Sequence, residues 1–317
     1  MLYYMLTHST PQHSPSSQSS TGNAYLRLHL AVLIAGGTGL FGRLITVGEL
    51  PLVCLRVIMG AAFLAAVMAL QDLMSGKDPA RGSRLHRLPR RELLMIMGCG
   101  VLLSVHWVFY YGSIKAANVS IGAVCFALVG FFTAVIEPLI DHHKPSWREI
   151  ALGLLTVAGI ALIFGFDARH RLGIGLGIVS SILYTFFSIY SKRTQASTGR
   201  SSSTMLLYEL LGGAVILSFA VPLYSAAFPD VAVIPTPRDW LMLVVFATIF
   251  TVVPFLLQLQ ALRHISAFTV NLTYNLEPVY TILAAMLLFD EAAELNFSFY
   301  LGIALIVIAV ALRGGKK

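Results

Sequence analysis

One stretch of the chain, residues 119–140, reads VSIGAVCFALVGFFTAVIEPLI and contains a single charged side chain, Glu137. The hydrocarbon core of a bilayer is about 30 Å thick, so a helix needs about 20 predominantly apolar residues to cross it. Residues 119–140 have this length and composition. We therefore predict that they form a transmembrane helix.

Similar apolar stretches follow one another along almost the whole chain. Of the 317 residues, 57% are hydrophobic and 12% are charged, against about 25% charged in soluble domains. The fold class is therefore predicted to be all-α, a polytopic membrane protein with ten transmembrane helices. The predicted spans are residues 28–45, 51–70, 93–111, 119–140, 150–166, 172–190, 205–223, 240–260, 268–289 and 297–312.

The charge and the cysteines exclude several classes of protein. A net charge of +7 would suit a nucleic-acid binder, but the basic residues lie in short loops between apolar spans, so we expect no nucleic-acid partner. The expected partners are membrane lipids and a small-molecule substrate. The three cysteines, Cys54, Cys99 and Cys125, form no CxxC pair, so we predict no disulfide framework, metal or cofactor.

Lysine and arginine are distributed unevenly between alternate loops. One set of loops carries 16 of them and the other set carries 5. The positive-inside rule places the first set, and with it both termini, in the cytoplasm. We therefore expect a multi-pass protein of the cytoplasmic (inner) membrane, with a polar, disordered cytoplasmic N-terminus at residues 1–27 and a short tail at residues 314–317.

Ten spans divide into a first repeat at residues 28–168 and a second at residues 169–313. The turn at residues 113–119 resembles the turn at residues 261–267, since each is a short basic connection between the third and fourth spans of its half. Five is an odd number, so the second half enters the membrane from the opposite side. The expected result is two inverted five-helix repeats, an arrangement suited to alternating access.

Four charged side chains lie inside predicted spans, where insertion costs at least ~2.5–3.5 kcal/mol: Arg56, Glu137, Glu209 and Glu277. Glu277 lies near the middle of the ninth span and precedes Pro278, which loosens the helix, so we predict that it binds substrate. The alternative is a structural Glu that pairs with another helix. For Arg56 we expect snorkelling to the membrane interface. For Glu137 we expect a structural role at the end of a helix.

Polar and aromatic side chains within the spans complete the candidate site. Near span ends, Tyr110, Tyr111 and Tyr190 are expected to belong to interfacial aromatic belts instead. The predicted substrate-binding residues are Glu277, Tyr274, Asn275, Asn271, Gln258, Tyr184, His106 and Trp107. The predicted gating or structural residues are Gly39, Gly42, Arg56, Glu209, Pro254 and Pro278.

Several strings, taken in order, resemble a known family. They are Gly39-Leu40-Phe41-Gly42, Leu55-Arg56, His106-Trp107, and the segment from Glu277-Pro278 to Phe289-Asp290-Glu291. Over residues 28–313 the chain resembles the EamA-type permeases of the drug/metabolite transporter superfamily. Its fourth span departs from the family pattern and ends Glu137-Pro138-Leu139-Ile140-Asp141. The resemblance implies export or exchange of small metabolites, often amino acids, through a central cavity.

The function predicted from these observations is secondary transport, not catalysis. The chain has no GxxxxGK[ST], HExxH or GxSxG motif, so neither an ATP-driven pump nor a known enzyme site is indicated. We expect export of a small amine-bearing metabolite such as an amino acid. Two modes stay open: proton coupling through Glu277, and facilitated exchange, which needs no titrating group. The alternatives are a nucleotide-sugar or other metabolite carrier of the same fold, and an intramembrane enzyme or scaffold.

Overall fold

The structure, a computed structural model, describes residues 15–74, 88–164, 170–289 and 297–314, and all regular structure within these ranges is helical. A π-helical turn, Thr248–Val252, lies between the α-helices Pro237–Ala247 and Val253–Leu262. The helices are α1 Pro15–Ala35, α2 Thr38–Leu44, α3 Glu49–Met74, α4 Arg90–Ala116, α5 Val119–Phe126, α6 Leu128–Asp141, α7 Trp147–Phe164, α8 Arg171–Thr198, α9 Ser202–Ala227, α10 Pro237–Ala247, α11 Val253–Leu262, α12 Ala267–Tyr274, α13 Glu277–Phe289 and α14 Phe297–Gly314.

Seven helical segments in the described part of the chain are long and apolar enough to cross a bilayer. The prediction of an all-helical, polytopic membrane protein is thereby confirmed. The remaining predicted spans, at residues 150–166, 268–289 and 297–312, overlap the shorter helices α7, α12 with α13, and α14. The seven segments are Gly22–Leu44, Glu49–Met74, Arg90–Ala116, Val119–Asp141, Arg171–Thr198, Ser202–Ala227 and Pro237–Leu262.

Three of the predicted spans are interrupted near the middle of the bundle. The fourth is divided at Ala127, between α5 and α6. In the first span, α1 ends before Gly36 and Gly37, whose lack of a side chain lets neighbouring segments approach closely. In the ninth span, α12 ends before Asn275 and α13 begins at Glu277, next to Pro278, which cannot donate a helical hydrogen bond. The backbone carbonyl of Gly36 accepts a hydrogen bond from the hydroxyl of Thr281 on α13 at 2.8 Å, so the breaks in the first and ninth spans lie close together.

The N-terminal segment differs from its prediction. Disorder was expected for residues 1–27, but α1 begins at Pro15, so the expectation is wrong for residues 15–27. Ala24 and Leu28 are buried, and extending a helix already formed costs less than nucleating one. Residues 1–14 and 315–317 lie outside the described residues. So do the basic loop at 75–87, the predicted repeat boundary at 165–169 and the acidic segment at 290–296.

Helix α4 is the central element, and it packs against α3, α8 and α9. Its 27 residues extend for roughly 40 Å, so its two ends lie at opposite ends of the bundle. The packing of α4 against α9 depends on glycine. A methyl group on Gly100 would overlap the backbone carbonyl of Glu209, and one on Gly212 would overlap the backbone of Met97.

The two turns that resemble each other in sequence are followed by similar helices. Both α5 and α12 contain eight residues. Asn118 caps α5 by accepting a hydrogen bond from the backbone N–H of Ile121 at 2.7 Å, and Ser266 caps α12 by accepting one from Thr269 at 3.1 Å. A polar cap at each turn therefore starts a short helix that runs into the bundle.

Candidate functional site

A small cavity lies where the three interrupted spans meet α3, α4, α8 and α11. Its volume is about 20 Å³, which has room for about one water molecule and not for a metabolite. The protein is therefore closed around this site. The cavity is lined by Ala35, Thr38, Arg56, His106, Trp107, Tyr110, Tyr111, Phe126, Tyr184, Phe255, Tyr274 and Glu277.

Arg56 of α3 is completely buried and faces the centre of the protein, so the expectation that it snorkels to the interface is wrong. Its guanidinium carbon lies 3.8 Å from the ring centre of Trp107 and 4.2 Å from that of Phe246. Nε donates to the hydroxyl of Thr251 at 2.7 Å, and Nη1 donates to the hydroxyl of Tyr111 at 2.9 Å. Aromatic rings and hydroxyl groups thus provide an interior environment that replaces the water of the interface.

Glu277 lies in the first turn of α13, immediately after the break in the ninth span, and is 4% exposed. The N-terminal end of a helix favours a negative charge at this position. Its Oε1 accepts a hydrogen bond from the hydroxyl of Thr38 at 3.5 Å. Because Glu277 and Arg56 line the same cavity, a carboxylate and a guanidinium lie close enough to interact electrostatically.

Four of the predicted aromatic residues line the cavity: His106, Trp107, Tyr184 and Tyr274. The ring of His106 lies 4.9 Å from that of Tyr184, and its Nδ1 lies 2.8 Å from the hydroxyl of Ser180. Within the described part of the chain, the buried hydroxyls of Tyr184 and Tyr274 have no hydrogen-bond partner. A polar substrate would provide one.

The three predicted amides are buried beside the cavity but do not line it. Asn271 donates to Thr133 at 2.8 Å and accepts from Ser188 at 3.0 Å, so it joins α12 to two other helices. Asn275 donates to Thr156 at 3.3 Å. Gln258 lies next to Tyr184 without a well-formed hydrogen bond to it.

Sequence reasoning missed two tyrosines of the site. Tyr110 and Tyr111 are buried and line the cavity, so their assignment to an interfacial belt is wrong. The third span was predicted to end at residue 111, whereas α4 continues to Ala116 and therefore places both rings more than a turn deeper. Tyr190, which was assigned to the same belt, is 40% exposed.

The predicted gating or structural residues occupy packed positions. A methyl group on Gly39 would come within 2.9 Å of Thr281, and one on Gly42 within 2.7 Å of Tyr111, so both glycines permit close helix packing. Pro254 and Pro278 lie in the first turns of α11 and α13. Glu209 is buried outside the cavity lining, where its Oε1 accepts from the hydroxyl of Ser191 at 2.6 Å.

Hydrogen bonds join the two halves of the chain at both ends of α4. At its C-terminal end, Asp239 accepts hydrogen bonds from the backbone N–H and the hydroxyl of Thr46, at 2.9 and 2.7 Å. We call this contact the Thr46–Asp239 latch. At its N-terminal end, Arg200 donates to Glu92 at 2.8 Å, which we call the Glu92–Arg200 latch. The two latches therefore connect the halves of the chain at opposite ends of α4.

Basic side chains reinforce both latches in the same way. Lys115, at the end of α4, donates to the backbone carbonyl of Ile45 at 3.3 Å. Arg263, just after α11, donates to the backbone carbonyl of Arg200. Lys115 and Arg263 occupy corresponding positions in the two similar turns.

A charged, aromatic cavity enclosed at the centre of a multi-pass helical membrane protein defines the class of membrane transporters. Comparison with known proteins identifies the family within this class. The model of the EamA-like transporter family matches residues 23–165 and again residues 171–314, so the chain belongs to this family. It is an EamA-type permease of the drug/metabolite transporter superfamily, as its sequence motifs indicated.

Relatives are similar over most of their length. The chain is 23% identical to the uncharacterized transporter YxxF of Bacillus subtilis (strain 168), over 96% of this chain and 95% of that protein. It is 21% identical to an uncharacterized transporter of Clostridium kluyveri, over 81% of this chain and 80% of that protein. One solved crystal structure superposes with a TM-score of 0.68 at 18% identity, covering 92% of this chain and 96% of that one. That structure supports the fold alone.

Proposed function

We propose that this protein is a secondary transporter that exports a small amine-bearing metabolite, such as an amino acid, across the cytoplasmic membrane by alternating access. The observation that carries the proposal is the central cavity, where the carboxylate of Glu277 lies among aromatic rings. In the closed protein Thr38 and Arg56 are the neighbours of this buried carboxylate, and the ammonium group of a substrate is a further partner for it when the cavity opens.

The chemistry of the cavity lining favours an ammonium group. Glu277 attracts it by charge, and the faces of Tyr184 and Tyr274 attract it by cation–π interactions of about 0.5–2 kcal/mol each. Trp107, which stacks on the guanidinium of Arg56, adds apolar contact surface. His106 adds a further polar group. We propose that these five residues contact the substrate directly. Gln258, Asn271 and Asn275 are proposed to reach it after the helices separate, or to support the residues that do.

We further propose ten transmembrane helices arranged as two inverted five-helix repeats, at residues 28–168 and 169–313. The family model matches the chain twice, once in each half. Lys115 contacts the connection after the first span of its half, and Arg263 contacts the corresponding connection in the second half. These paired contacts lie at opposite ends of the bundle, which supports inverted orientation of the halves.

The two latches, one at each end of α4, support alternating access. The bias of lysine and arginine toward one set of loops favours a cytoplasmic location for the Glu92–Arg200 latch and for both termini. The Thr46–Asp239 latch then faces the outside. With both latches formed, the cavity is sealed from both sides, and opening one latch at a time would expose the substrate to one side at a time.

Transport of a chemically unchanged substrate distinguishes a carrier from an intramembrane enzyme or scaffold. The full-length protein is reconstituted in liposomes and tested with labelled amino acids, organic cations, nucleosides and nucleotide-sugars. We expect flux of amino acids or amines, recovered unaltered. Tyr274→Ala should reduce this flux, whereas Tyr190→Ala, a half-exposed tyrosine outside the cavity, should not. Flux of nucleotide-sugars alone, or recovery of a modified compound, would contradict the proposal.

The direction and the topology are tested in cells. Cells that overproduce the protein should tolerate toxic amino-acid analogues, and Tyr274→Ala should remove the tolerance while the protein still reaches the membrane. For topology, Arg90 and Arg238 are replaced by cysteine in separate variants, and each variant is labelled with an impermeant reagent. We expect labelling of residue 238 and not of residue 90 from outside intact cells, and the reverse pattern would reject the orientation.

A further inference from the structure

Arg56 lies in the same cavity as Glu277, and its guanidinium has an unused hydrogen-bonding edge. Nε is occupied by Thr251, and one hydrogen of Nη1 is occupied by Tyr111. Among the described residues, nothing accepts a hydrogen bond from Nη2, although Arg56 is completely buried. The free donors are therefore both hydrogens of Nη2 and the second hydrogen of Nη1.

The free hydrogens on Nη1 and Nη2 form a two-pronged donor, which we call the fork and which can bind both oxygens of a carboxylate. A guanidinium presents Nη1 and Nη2 side by side in one plane, and the two oxygens of a carboxylate accept from them in parallel. The rings of Trp107 and Phe246 lie on the guanidinium at 3.8 and 4.2 Å. Because the rings and the hydroxyls of Thr251 and Tyr111 hold the plane in place, the fork is fixed in position before any ligand arrives.

The charges of the cavity also indicate what kind of ligand it accepts. Arg56 and Glu277 carry opposite charges, so the lining is close to neutral overall. A simple amine would satisfy Glu277 but would bring a second positive charge toward Arg56 and leave its fork unpaired. A phosphorylated sugar would satisfy Arg56 but would be repelled by Glu277. A zwitterion satisfies both charges at once.

We propose that Arg56 is the carboxylate subsite of the transporter, and that the substrate is a zwitterionic amino acid whose ammonium group is bound by Glu277. This inference rests on the proposed transport function and narrows its substrate class from amines in general to amino acids with a free carboxylate. Arg56 therefore has a specificity role in addition to its packing role. Tyr111 and Thr251 are positioning residues, because they act on the substrate through Arg56.

The test compares leucine with two analogues, each of which lacks one of its two charged groups. Wild-type protein in liposomes is assayed for uptake of labelled L-leucine, of isopentylamine, which lacks the carboxylate, and of 4-methylpentanoate, which lacks the amine. We expect leucine to be transported at least about tenfold faster than either, since each analogue leaves one buried charge unpaired. Arg56→Gln should reduce leucine flux about tenfold or more and should leave isopentylamine flux unchanged or increased.

Further variants separate this role from folding. Arg56→Lys keeps the charge without the fork and should recover part of the leucine flux, while Tyr111→Phe should raise the KM for leucine more than it lowers kcat. Arg193→Gln, which removes an exposed arginine paired with Asp141, is the matched control and should behave as wild type. Arg56→Lys and Tyr111→Phe keep the test decisive if Arg56→Gln does not fold.

The outcomes distinguish the inference from the proposed function. If wild type carries isopentylamine as fast as leucine, and Arg56 and Tyr111 variants change both equally, Arg56 is only structural and the inference is wrong, while amine transport stands. If no amino acid or amine of the tested panel moves across the membrane, the proposed function itself is wrong, and the carboxylate subsite is rejected with it.

Discussion

Asp239, at the start of α10, accepts two hydrogen bonds from Thr46, which lies 193 residues earlier in the chain. The same carboxylate also accepts from the backbone N–H and the hydroxyl of Thr236, at 3.0 and 2.8 Å, and so caps its own helix. One side chain therefore both caps α10 and holds the segment after α2 against it. Removing only the hydrogen bond from the Thr46 hydroxyl would weaken the hold on this segment without unfolding the helix.

Thr46→Val is expected to weaken the Thr46–Asp239 latch by about 1 kcal/mol and so favour the outward-open form about fivefold. The reporter is Thr38→Cys, a substitution in the cavity lining, in a chain whose three free cysteines are replaced by alanine. We expect its reaction with an impermeant cationic thiol reagent in intact cells to become several times faster. Thr236→Val, which removes only the helix cap, is the control and should have a smaller effect. An unchanged rate for Thr46→Val would show that this contact does not close the outer side.

Weakening the Glu92–Arg200 latch should favour the inward-open form instead. Glu92→Gln removes the charge that Arg200 contacts at 2.8 Å, while the exposed pair Arg193–Asp141 at the same end provides a matched control. Both side chains of the latch are partly exposed, so the expected effect is at most about 1 kcal/mol. In inside-out vesicles, Glu92→Gln should accelerate labelling of Thr38→Cys, and Arg193→Gln should not. Faster labelling from the outside of intact cells would contradict the orientation of the repeats.

The amino-acid sequence is sufficient to predict the fold class and the position of Glu277 in the lining of a central cavity, because both follow from energetic cost. A run of about 20 apolar residues is stable only in a bilayer or a core, and a carboxylate within it needs a partner or a function. Tyr110 and Tyr111 were missed because the prediction depended on the end of a span. Their distance from the interface was judged from residue 111, and α4 ends at Ala116.

The environment of Arg56 could not be predicted from any local pattern. Its two hydrogen-bond partners lie 195 and 55 residues away along the chain, and the stacked ring of Phe246 belongs to a different helix. The contacts of two predicted substrate-binding amides could not be predicted for a similar reason. Asn271 and Asn275 donate to Thr133 and Thr156, which lie 138 and 119 residues earlier in the chain.

Glycines on α4 provide a test of how closely the helices pack. Gly100→Ala would place a methyl group on the backbone carbonyl of Glu209, so we expect it to destabilise the protein by about 1–3 kcal/mol. Gly98 lies on the same helix with no atom within 4 Å of an added methyl group. Gly98→Ala is therefore expected to be neutral or to stabilise the helix by up to about 1 kcal/mol. Thermal unfolding in detergent should separate the two variants, and equal midpoints would contradict the close contact of α4 with α9.

A proton gradient would act on transport through Glu277, because a proton and the ammonium group of a substrate compete for the same carboxylate. The ionised form binds the cation, and the protonated form releases it and is less costly to bury. Acid on the outside should therefore promote release there and drive export. We expect efflux of a labelled amino acid from liposomes or cells to accelerate when the outer pH is lowered, and to lose this response when an ionophore collapses the gradient.

Glu277→Gln removes the competition, since an amide does not titrate at these pH values. We expect this variant to export at least about tenfold more slowly, through the loss of the ion pair, and at a rate independent of the imposed gradient. Glu209→Gln alters a second buried glutamate, which lies outside the cavity lining, and should retain the response to pH. A full response in Glu277→Gln would show that protons act elsewhere. Its loss in Glu209→Gln alone would assign the coupling to Glu209, next to Ser191 on α8.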